Sequence, residues 1–264
     1  MTEHLIVRES RGPITILTLN RPEKRNALSR ALVAELSDAI GHASIDPTVR
    51  VLILTNNGPT FCAGMDLKEA SAPLATEAAE RVAVGDTQAI ADLMEQIHVF
   101  PRPTISAVCG DALAGGAGLA LACDFVLMEP SARLGFPEVQ RGLVAAIVLY
   151  DLVKHVGDRR ARDLLLTGRA IEPKEAERWG LINRVVEVQT CLAEAITLAE
   201  SLLKAAPIAT TTTKRLIDEA SGLPDLRGAA AVSAAVRVGD EAREGMSAFL
   251  EKRPTSWDAA EPIK

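Results

Sequence analysis

The chain has 264 residues, of which 48% are hydrophobic, and a formal net charge of −6. This length and apolar content suffice for a substantial core in one large domain, without a second fold. The acidic balance and the lack of any run of like charge argue against a nucleic-acid partner or an anionic membrane surface.

The four cysteines are spread through the chain without a Cys-x-x-Cys pair. They lie among apolar or small residues, so we interpret them as buried small hydrophobes rather than metal ligands or disulfide partners. No apolar stretch reaches the length of a membrane span, and the opening MTEHLI lacks the basic and apolar regions of a signal peptide. We therefore expect a cytoplasmic protein with no metal site and no membrane partner.

The beginning of the chain alternates strand and helix patterns. Residues 14–19 alternate Ile and Leu with threonines, which predicts a strand. Apolar residues at helical spacing predict an amphipathic helix over 28–40 that ends near Gly41. Residues 49–55 form a continuous run of Val, Leu and Ile, typical of a strand buried on both faces of a parallel sheet. Strand, helix and strand in this order indicate a βαβ unit.

Residues 61–69, FCAGMDLKE, contain the signal for a helix start. Asp66 followed by Glu69 resembles a capping box, so a helix is predicted to begin at about Leu67. The backbone N–H groups near Met65 would then lie at the N-terminal end of that helix, where they can hold an anion. The alternative is an ordinary capped helix, a feature common to proteins of every function.

A second glycine-bearing stretch follows a predicted mobile loop over 70–76 and a predicted helix over 77–99. Residues 105–108 predict a short buried strand, and Gly115-Gly116 lead into small apolar residues typical of a helix buried on all sides. Such a turn leaves backbone N–H groups unpaired under the positive end of the helix dipole, as an oxyanion site requires. The alternative is that the glycines only allow close helix packing.

The rest of the chain predicts one more strand-and-helix region and then helices. The predicted elements are a strand over 125–128, helices over 144–155 and 158–167, a short helix after Pro173, a strand over 181–186 and, over 191–250, helices interrupted near Pro207 and 222–224. We therefore divide the chain into an α/β core at 1–190 and a helical C-terminal region at 191–264.

Five motifs stand in order along nearly the whole chain. They are LNRPEKRNAL at 19–28, FCAGMDLKE at 61–69, ALAGGAGL at 112–119 with Cys123-Asp124, FPE at 136–138 and AFLEKR at 248–253. In order and spacing these motifs resemble the crotonase (enoyl-CoA hydratase/isomerase) family. The resemblance implies a spiral of ββα units with a helical C-terminal region for trimerisation, hence a homotrimer or a dimer of trimers. It also implies an acyl-coenzyme A thioester as substrate and no cofactor beyond that coenzyme A.

The same resemblance implies the site residues. The N–H groups of Met65 and Gly115 form the oxyanion hole, Asp66, Leu67 and Lys68 line the substrate near the thioester, and Arg25, Ala27 and Ala63 border the coenzyme A, with Arg25 and Lys252 as phosphate partners. Removing a proton α to a thioester, or adding a nucleophile at its β-carbon, places negative charge on the carbonyl oxygen. Two preorganised donors stabilise that charge by several kcal/mol.

Proton transfer is predicted to depend on Glu138. Hydratases of the family use two glutamates; the later one falls on Glu138, among apolar neighbours that would raise its pKa, and the earlier one falls on Gly118. A single carboxylate can run a 1,3-proton shift, because acid and base are the same group at successive moments, so double-bond isomerisation fits this site. The alternative is hydration through Glu138 and one ordered water, with a substitute partner from Asp86, Asp92 or Glu95.

Other functions fit the sequence less well. The stretch from Gly115 to Gly118 lacks the G-x-G-x-x-G spacing of a nucleotide-binding domain, and no G-x-S-x-G of a serine hydrolase occurs. Ala146 stands where some isomerases and dehalogenases of the family carry an aspartate, which disfavours dienoyl isomerisation and dehalogenation. A catalytically silent acyl-CoA-binding or scaffolding protein remains the alternative to an enzyme, and it would bind a thioester without converting it.

Overall fold

Two β-sheets organise the fold. The computed structural model describes residues 4–70, 76–141 and 143–220, together with 240, 244, 251, 253, 254 and 256. Within these residues the strands are β1 (Ile6–Arg11), β2 (Ile14–Leu19), β3 (Val51–Asn56), β4 (Thr60–Cys62), β5 (Thr104–Val108), β6 (Asp111–Leu113), β7 (Phe125–Met128), β8 (Leu134–Gly135), β9 (Ala170–Ile171) and β10 (Arg184–Val185).

Helices pack on both sheets. In the same residues they are α1 (Arg30–Ile45), α2 (Leu67–Ala70), α3 (Thr76–His98), α4 (Gly115–Leu121), α5 (Ala146–Thr167), α6 (Pro173–Trp179), α7 (Cys191–Leu203) and α8 (Pro207–Ala220), with 3-10 turns at Pro22–Lys24 and Pro137–Arg141. None of these described helices is both long and apolar enough to cross a membrane.

The sheets are built by a repeating strand–strand–helix unit. The larger sheet has the order β1-β2-β3-β5-β7-β10 and is parallel except for β1. The smaller sheet has the order β4-β6-β8-β9, with β9 antiparallel. Consecutive strands therefore divide between the sheets, with β3, β5 and β7 in the larger and β4, β6 and β8 in the smaller, and a helix follows each pair. This repeat confirms the predicted α/β class and ββα units.

Both faces of the larger sheet are buried at its central strands β2, β3 and β5, which explains their continuous apolar sequences. In β2, Ile14 and Ile16 belong to the core under α7, whereas Leu17 and Leu19 belong to the core that includes α1. The strand predicted over 49–55 is β3, and every residue of β3 is buried. Helices on both sides therefore remove this strand from water, as its sequence predicted.

Two predicted boundaries were wrong. Helix α1 runs through Gly41 to Ile45 because Ala43, beyond the glycine, is completely buried and packs in the core. Of the strand predicted over 181–186, only the two residues of β10 form a strand. Leu181 and Ile182 are buried in the core but lie outside β10. Strand β1 and the smaller sheet were not predicted: β1 is largely exposed, and the strands of the smaller sheet have two or three residues each.

Several predicted breaks occur where the sequence indicated them. The helices predicted over 144–155 and 158–167 form α5, which is interrupted by Gly157 at φ 77° and ψ 168°. Pro173 opens α6, and Pro207 separates α7 from α8. The predicted mobile loop over 70–76 lies mostly outside the described residues, and so does most of the chain beyond 220. The division at residue 190 therefore stays a prediction.

All four cysteines are free thiols. Cys62, Cys123 and Cys191 are buried and Cys109 is half-buried, so the interpretation as small hydrophobes is confirmed for three of the four. Burial raises the pKa of the Cys62 and Cys123 thiols to about 12, which keeps both protonated and unreactive at neutral pH.

Candidate active site

Two glycine-bearing turns, one before α2 and one before α4, lie against each other. A Cβ built on Gly64, which has φ 84°, would lie 2.7 Å from Ala114 Cβ and 3.2 Å from the Gly115 nitrogen. Any larger residue at position 64 would therefore separate the two backbones. The glycine brings the segment of Met65 next to the start of α4.

The Met65 amide is turned away from its backbone neighbours. The N–H of Leu28 donates to the Gly64 carbonyl at 2.8 Å, and the Leu28 carbonyl accepts from the Asp66 N–H at 3.1 Å, which makes a parallel bridge between Leu28 and Met65. These bonds flank Met65, so its own N–H points to the opposite side of the segment. Among the hydrogen bonds of the described residues, the Met65 amide donates none.

The Gly115 amide begins helix α4. Ala114 caps this helix with φ 53° and ψ −128°, a conformation that side chains disfavour. It is held there because its N–H donates to the Gly135 carbonyl at 2.8 Å and its carbonyl accepts from Ala117 and Gly118 at 3.0 and 3.1 Å. The Gly115 N–H, at the first helical position, has no partner within the helix and lies under the positive end of its dipole.

A cavity of about 420 Å³ adjoins both turns. Its described lining includes most of the predicted site residues, namely Arg25, Ala27, Ala63, Met65, Leu67, Gly115 and Glu138. Residues from four separate parts of the chain thus meet in one space. The bond from the Ala63 N–H to the Arg25 carbonyl, at 3.0 Å, joins two of those parts directly.

Asp66 and Lys68 are not among the described residues that line this cavity. Asp66 lines a neighbouring cavity between α1 and α3, and its Oδ2 accepts a hydrogen bond from Arg21 Nη1 at 2.7 Å. That bond holds the pKa of Asp66 below its usual value, and burial opposes it. Helix α2 begins at Leu67 as predicted, but Glu69 does not close a capping box: its Oε2 accepts from the Arg30 N–H at 3.0 Å.

Glu138 enters the cavity from the 3-10 turn that follows β8. Phe136 before it is completely buried and anchors the turn, and the Glu138 carbonyl accepts from the Leu143 N–H at 2.9 Å. The residue as a whole is half-buried, and its Oε2 atom is buried. Glu138 is the one carboxylic acid in the described lining of the cavity.

The acidic residues considered as its substitute partner lie elsewhere. Asp86 lines the neighbouring cavity, where Arg30 holds it through bonds of 2.6 and 2.7 Å. Asp92 lines the same neighbouring cavity, and Glu95 is exposed on α3. In the described residues, these three side chains do not join Glu138.

The cavity is charged at one end and apolar at the other. Lys24 and Arg25 are exposed at its mouth, whereas Ile90, Met94 and Val148 line it while nearly excluded from solvent. This arrangement suits a ligand with an anionic, phosphate-bearing part and an apolar part. Lys252, the other candidate phosphate partner, lies outside the described residues.

Asn26 fixes the turn that carries the two cations, and the sequence analysis did not identify it. This completely buried residue has φ 50°, and its Oδ1 accepts from the Arg21 N–H at 2.7 Å. Its Nδ2 donates to the carbonyls of Asn57 and Thr60 at 3.0 and 2.8 Å. An asparagine at the end of a polar turn, where left-handed backbone is common, is the signal that could have singled it out.

Comparison with known proteins places this architecture in one family. The family model for enoyl-CoA hydratase/isomerase matches residues 9–260. The chain is 42% identical over 252 residues, 94% of its length and 99% of the relative's, to a provisionally named enoyl-CoA hydratase of Thermus thermophilus. It is 35% identical over 250 residues, 90% of its length and 89% of the relative's, to an enoyl-CoA isomerase/hydratase of Mycosarcoma maydis.

Solved structures agree with the family model. The crystal structure of enoyl-CoA hydratase from Bacillus anthracis matches with a TM-score of 0.89 and 32% identity over 97% of this chain and 100% of that one. Sequence motifs, ββα topology and these matches all agree. This chain therefore belongs to the crotonase (enoyl-CoA hydratase/isomerase) family and is an enzyme of the enoyl-CoA hydratase type.

Proposed function

We propose that this enzyme moves the double bond of an enoyl-coenzyme A thioester by a proton shift through Glu138. The observation that supports the proposal is the lining of the cavity, in which the described residues supply two backbone amides of the predicted oxyanion hole and one carboxylic acid. A reaction in which one group acts first as base and then as acid needs only one carboxylic acid, and the described lining supplies one, Glu138.

The thioester binds with its carbonyl oxygen between the N–H groups of Met65 and Gly115. The coenzyme A part extends toward the mouth, where Lys24 and Arg25 attract its phosphates. The acyl chain extends toward the apolar end. Each backbone donor placed where the enolate oxygen develops is expected to lower the barrier by about 3 kcal/mol.

The proton shift proceeds in two steps. The Glu138 carboxylate removes a proton from the α- or γ-carbon, and the electrons of that C–H bond move through the conjugated system onto the thioester oxygen. The dienolate then collapses, and the carboxylic acid of Glu138 returns the proton to the other carbon. Glu138 ends as the carboxylate from which it began, so no further acid or base is required.

Hydration is the competing reaction. It needs a water deprotonated on one side and a proton delivered to the α-carbon, tasks that the family's hydratases divide between two glutamates. In this chain Gly118 has no side chain, and the described lining offers no other carboxylic acid than Glu138. Isomerisation is therefore the better match, and the experiment below distinguishes the two.

The test uses 2-enoyl and 3-enoyl coenzyme A esters in water labelled with heavy oxygen, with the products followed by mass. Rearrangement without label is expected. Incorporation of the label would establish hydration instead. Tight binding without conversion of either ester would identify a catalytically silent acyl-CoA-binding protein.

Substituting Glu138→Gln tests the proposed acid/base directly. Turnover should fall at least about 100-fold, because the amide cannot accept the proton, while thioester affinity stays nearly unchanged. The matched control is Glu95→Gln, the same change at an exposed carboxylate on α3 outside the cavity lining, which should retain full activity. Retained turnover in Glu138→Gln would remove this residue from the mechanism.

A further inference from the structure

The closed end of the active-site cavity is formed where α3 and α5 pack over Gly118 of α4. Met94 from α3 and Val148 from α5 both line the cavity, yet only 3% and 2% of their surfaces are exposed. Leu67 and Val144 line the same cavity with 47% and 79% of their surfaces exposed. From these exposed fractions we infer that the cavity is open to solvent near Leu67 and Val144 and closed near Met94 and Val148.

Met94 and Val148 occupy the space in front of Gly118. A Cβ built on Gly118 would overlap Val148 Cγ1 and would lie 2.6 Å from Met94 Cε and 3.0 Å from its Sδ. No real Cβ tolerates such contacts without a shift of its neighbours. The absence of a side chain at Gly118 therefore leaves no empty space, because two apolar side chains from neighbouring helices fill it.

We propose that Met94 and Val148 are the specificity-determining residues of this active site, and that they end the acyl pocket and so limit the length of a hydrocarbon acyl chain. The inference rests on the proposed function in one respect, the placement of the thioester carbonyl at the Met65 and Gly115 amides. The acyl chain then extends from that carbonyl until its last carbons contact the two side chains.

The chemistry of the closed end excludes a polar acyl terminus. Ile90, Leu113 and Ile147 also belong to the described lining, and like Met94 and Val148 they are apolar. A terminal carboxylate or hydroxyl placed there would lose its hydration without gaining a partner among these side chains, which is costly. The cations of the lining, Lys24 and Arg25, are exposed at the mouth.

The two residues should differ in how they set the length limit. Met94 is unbranched and flexible, so its terminal methyl group can yield to a slightly longer chain. Val148 is β-branched and held in one rotamer within α5, so it forms the rigid part of the wall. Removing Met94 deletes more volume and should extend the pocket further.

The experiment measures binding of saturated acyl-coenzyme A esters of increasing chain length by calorimetry. Affinity of the wild type should rise with length, reach a limit and then fall. Met94→Ala and Val148→Ala should each move the limit to longer chains and raise affinity for the first excluded ester by about tenfold or more. Unchanged length limits in both variants would overturn the proposal.

Controls separate the pocket effect from loss of packing. Val156→Ala removes a buried side chain from the same helix α5 that does not belong to the described lining, so it should lower stability and leave the length limit unchanged. A shift of the limit in Val156→Ala as large as in Val148→Ala would contradict the assignment. If Met94→Ala does not fold, Val148→Ala decides the question alone.

Parallel turnover assays distinguish this inference from the proposed function. A wild type that binds the saturated esters but converts neither 2-enoyl nor 3-enoyl esters would remove the isomerase proposal, while the binding profiles would still decide the role of Met94 and Val148. Turnover by the wild type with identical length profiles in both variants would leave the isomerase proposal standing and refute this inference.

Discussion

Two helical glycines should respond in opposite ways to the same substitution. At Gly116 a Cβ would overlap the Cys62 carbonyl oxygen and lie 2.7 Å from Cys62 Cβ, whereas at Gly41 nothing lies within 4 Å. We predict that Gly116→Ala lowers the free energy of unfolding by about 1–3 kcal/mol through overpacking. Gly41→Ala should raise it by about 0.5–1 kcal/mol, because alanine favours an exposed helix interior. Urea denaturation measures both, and changes of equal sign would contradict the packing.

The buried polar residue Asn26 holds the turn that carries Lys24 and Arg25. Asn26→Ala leaves the Arg21 N–H and the carbonyls of Asn57 and Thr60 without this partner, and alanine fits poorly at φ 50°. We expect a loss of at least about 2 kcal/mol in the free energy of unfolding and weaker binding of coenzyme A.

The control for Asn26 is a second asparagine in the same turn. Asn20 Nδ2 donates to the His4 carbonyl at 2.9 Å and its Oδ1 accepts from Asn57 Nδ2 at 3.0 Å, and both bonds are exposed to solvent, so Asn20→Ala should cost clearly less stability than Asn26→Ala. Equal losses of coenzyme A affinity in the two variants would mean that Asn26 does not position the turn. Chemical denaturation and calorimetric titration provide both measurements.

The sequence motifs predicted which residues meet at the site better than they predicted where each side chain points. Met65, Gly115 and Glu138 line one cavity, because their contributions depend on backbone position or on a short turn. Asp66 was expected there too, but its carboxylate is bound by Arg21, 45 residues earlier in the chain. A sequence motif contains only residues that are close in the chain. The direction of the Asp66 side chain is set by Arg21, which lies outside the motif of Asp66, so the motif could not predict it.

At the scale of elements, predictability followed the length and periodicity of the apolar pattern. Strands β2, β3 and β5 and helix α3 carry several buried apolar residues each, and their locations were predicted. Strands β4, β6, β8 and β9 have two or three residues, too few to display a period. Their pairing depends on the ββα repeat itself, and so the second sheet could be expected only from the resemblance.

Helices α3 and α5 are joined by an ion pair that should make stability depend on pH. His98 Nε2 lies 3.0 Å from Asp151 Oδ1, and His98 Nδ1 lies 3.0 Å from the Met94 carbonyl oxygen. The hydrogen bond with Asp151 raises the pKa of His98 above 6.5, against the effects of burial and of Lys154. A raised folded pKa means that protonated His98 stabilises the fold fully below the unfolded pKa.

We therefore predict that this stabilisation is lost as the pH rises through the raised pKa of His98. The free energy of unfolding of the wild type, minus that of His98→Gln, should decline over that interval. Burial lowers the pKa of His155, which acts in the opposite sense at lower pH, so the difference between variants is needed to isolate His98. Asp151→Asn should likewise lose the pH-dependent stabilisation that His98 provides in the wild type. A difference that stays constant with pH would exclude the ion pair.

At the scale of the whole molecule, the chain presents large apolar side chains to solvent at many positions. Among the described residues they include Ile45, Val84, Val99, Leu166 and Val188. Scattered exposed apolar residues are normal in any soluble monomer and do not by themselves indicate an interface. The expectation of a homotrimer or a dimer of trimers accordingly rests on the family resemblance, and solution mass is the measurement that tests it.

Sedimentation equilibrium should give three or six times the chain mass of 28.1 kDa. If subunits associate by burying apolar surface, the assembly should persist in concentrated salt, because the hydrophobic effect is not screened by ions. Dissociation by salt would indicate that surface charges hold the subunits together instead. A single 28.1 kDa species at every concentration would refute the predicted oligomer, and the cavity would then have to bind its thioester with residues of one chain alone.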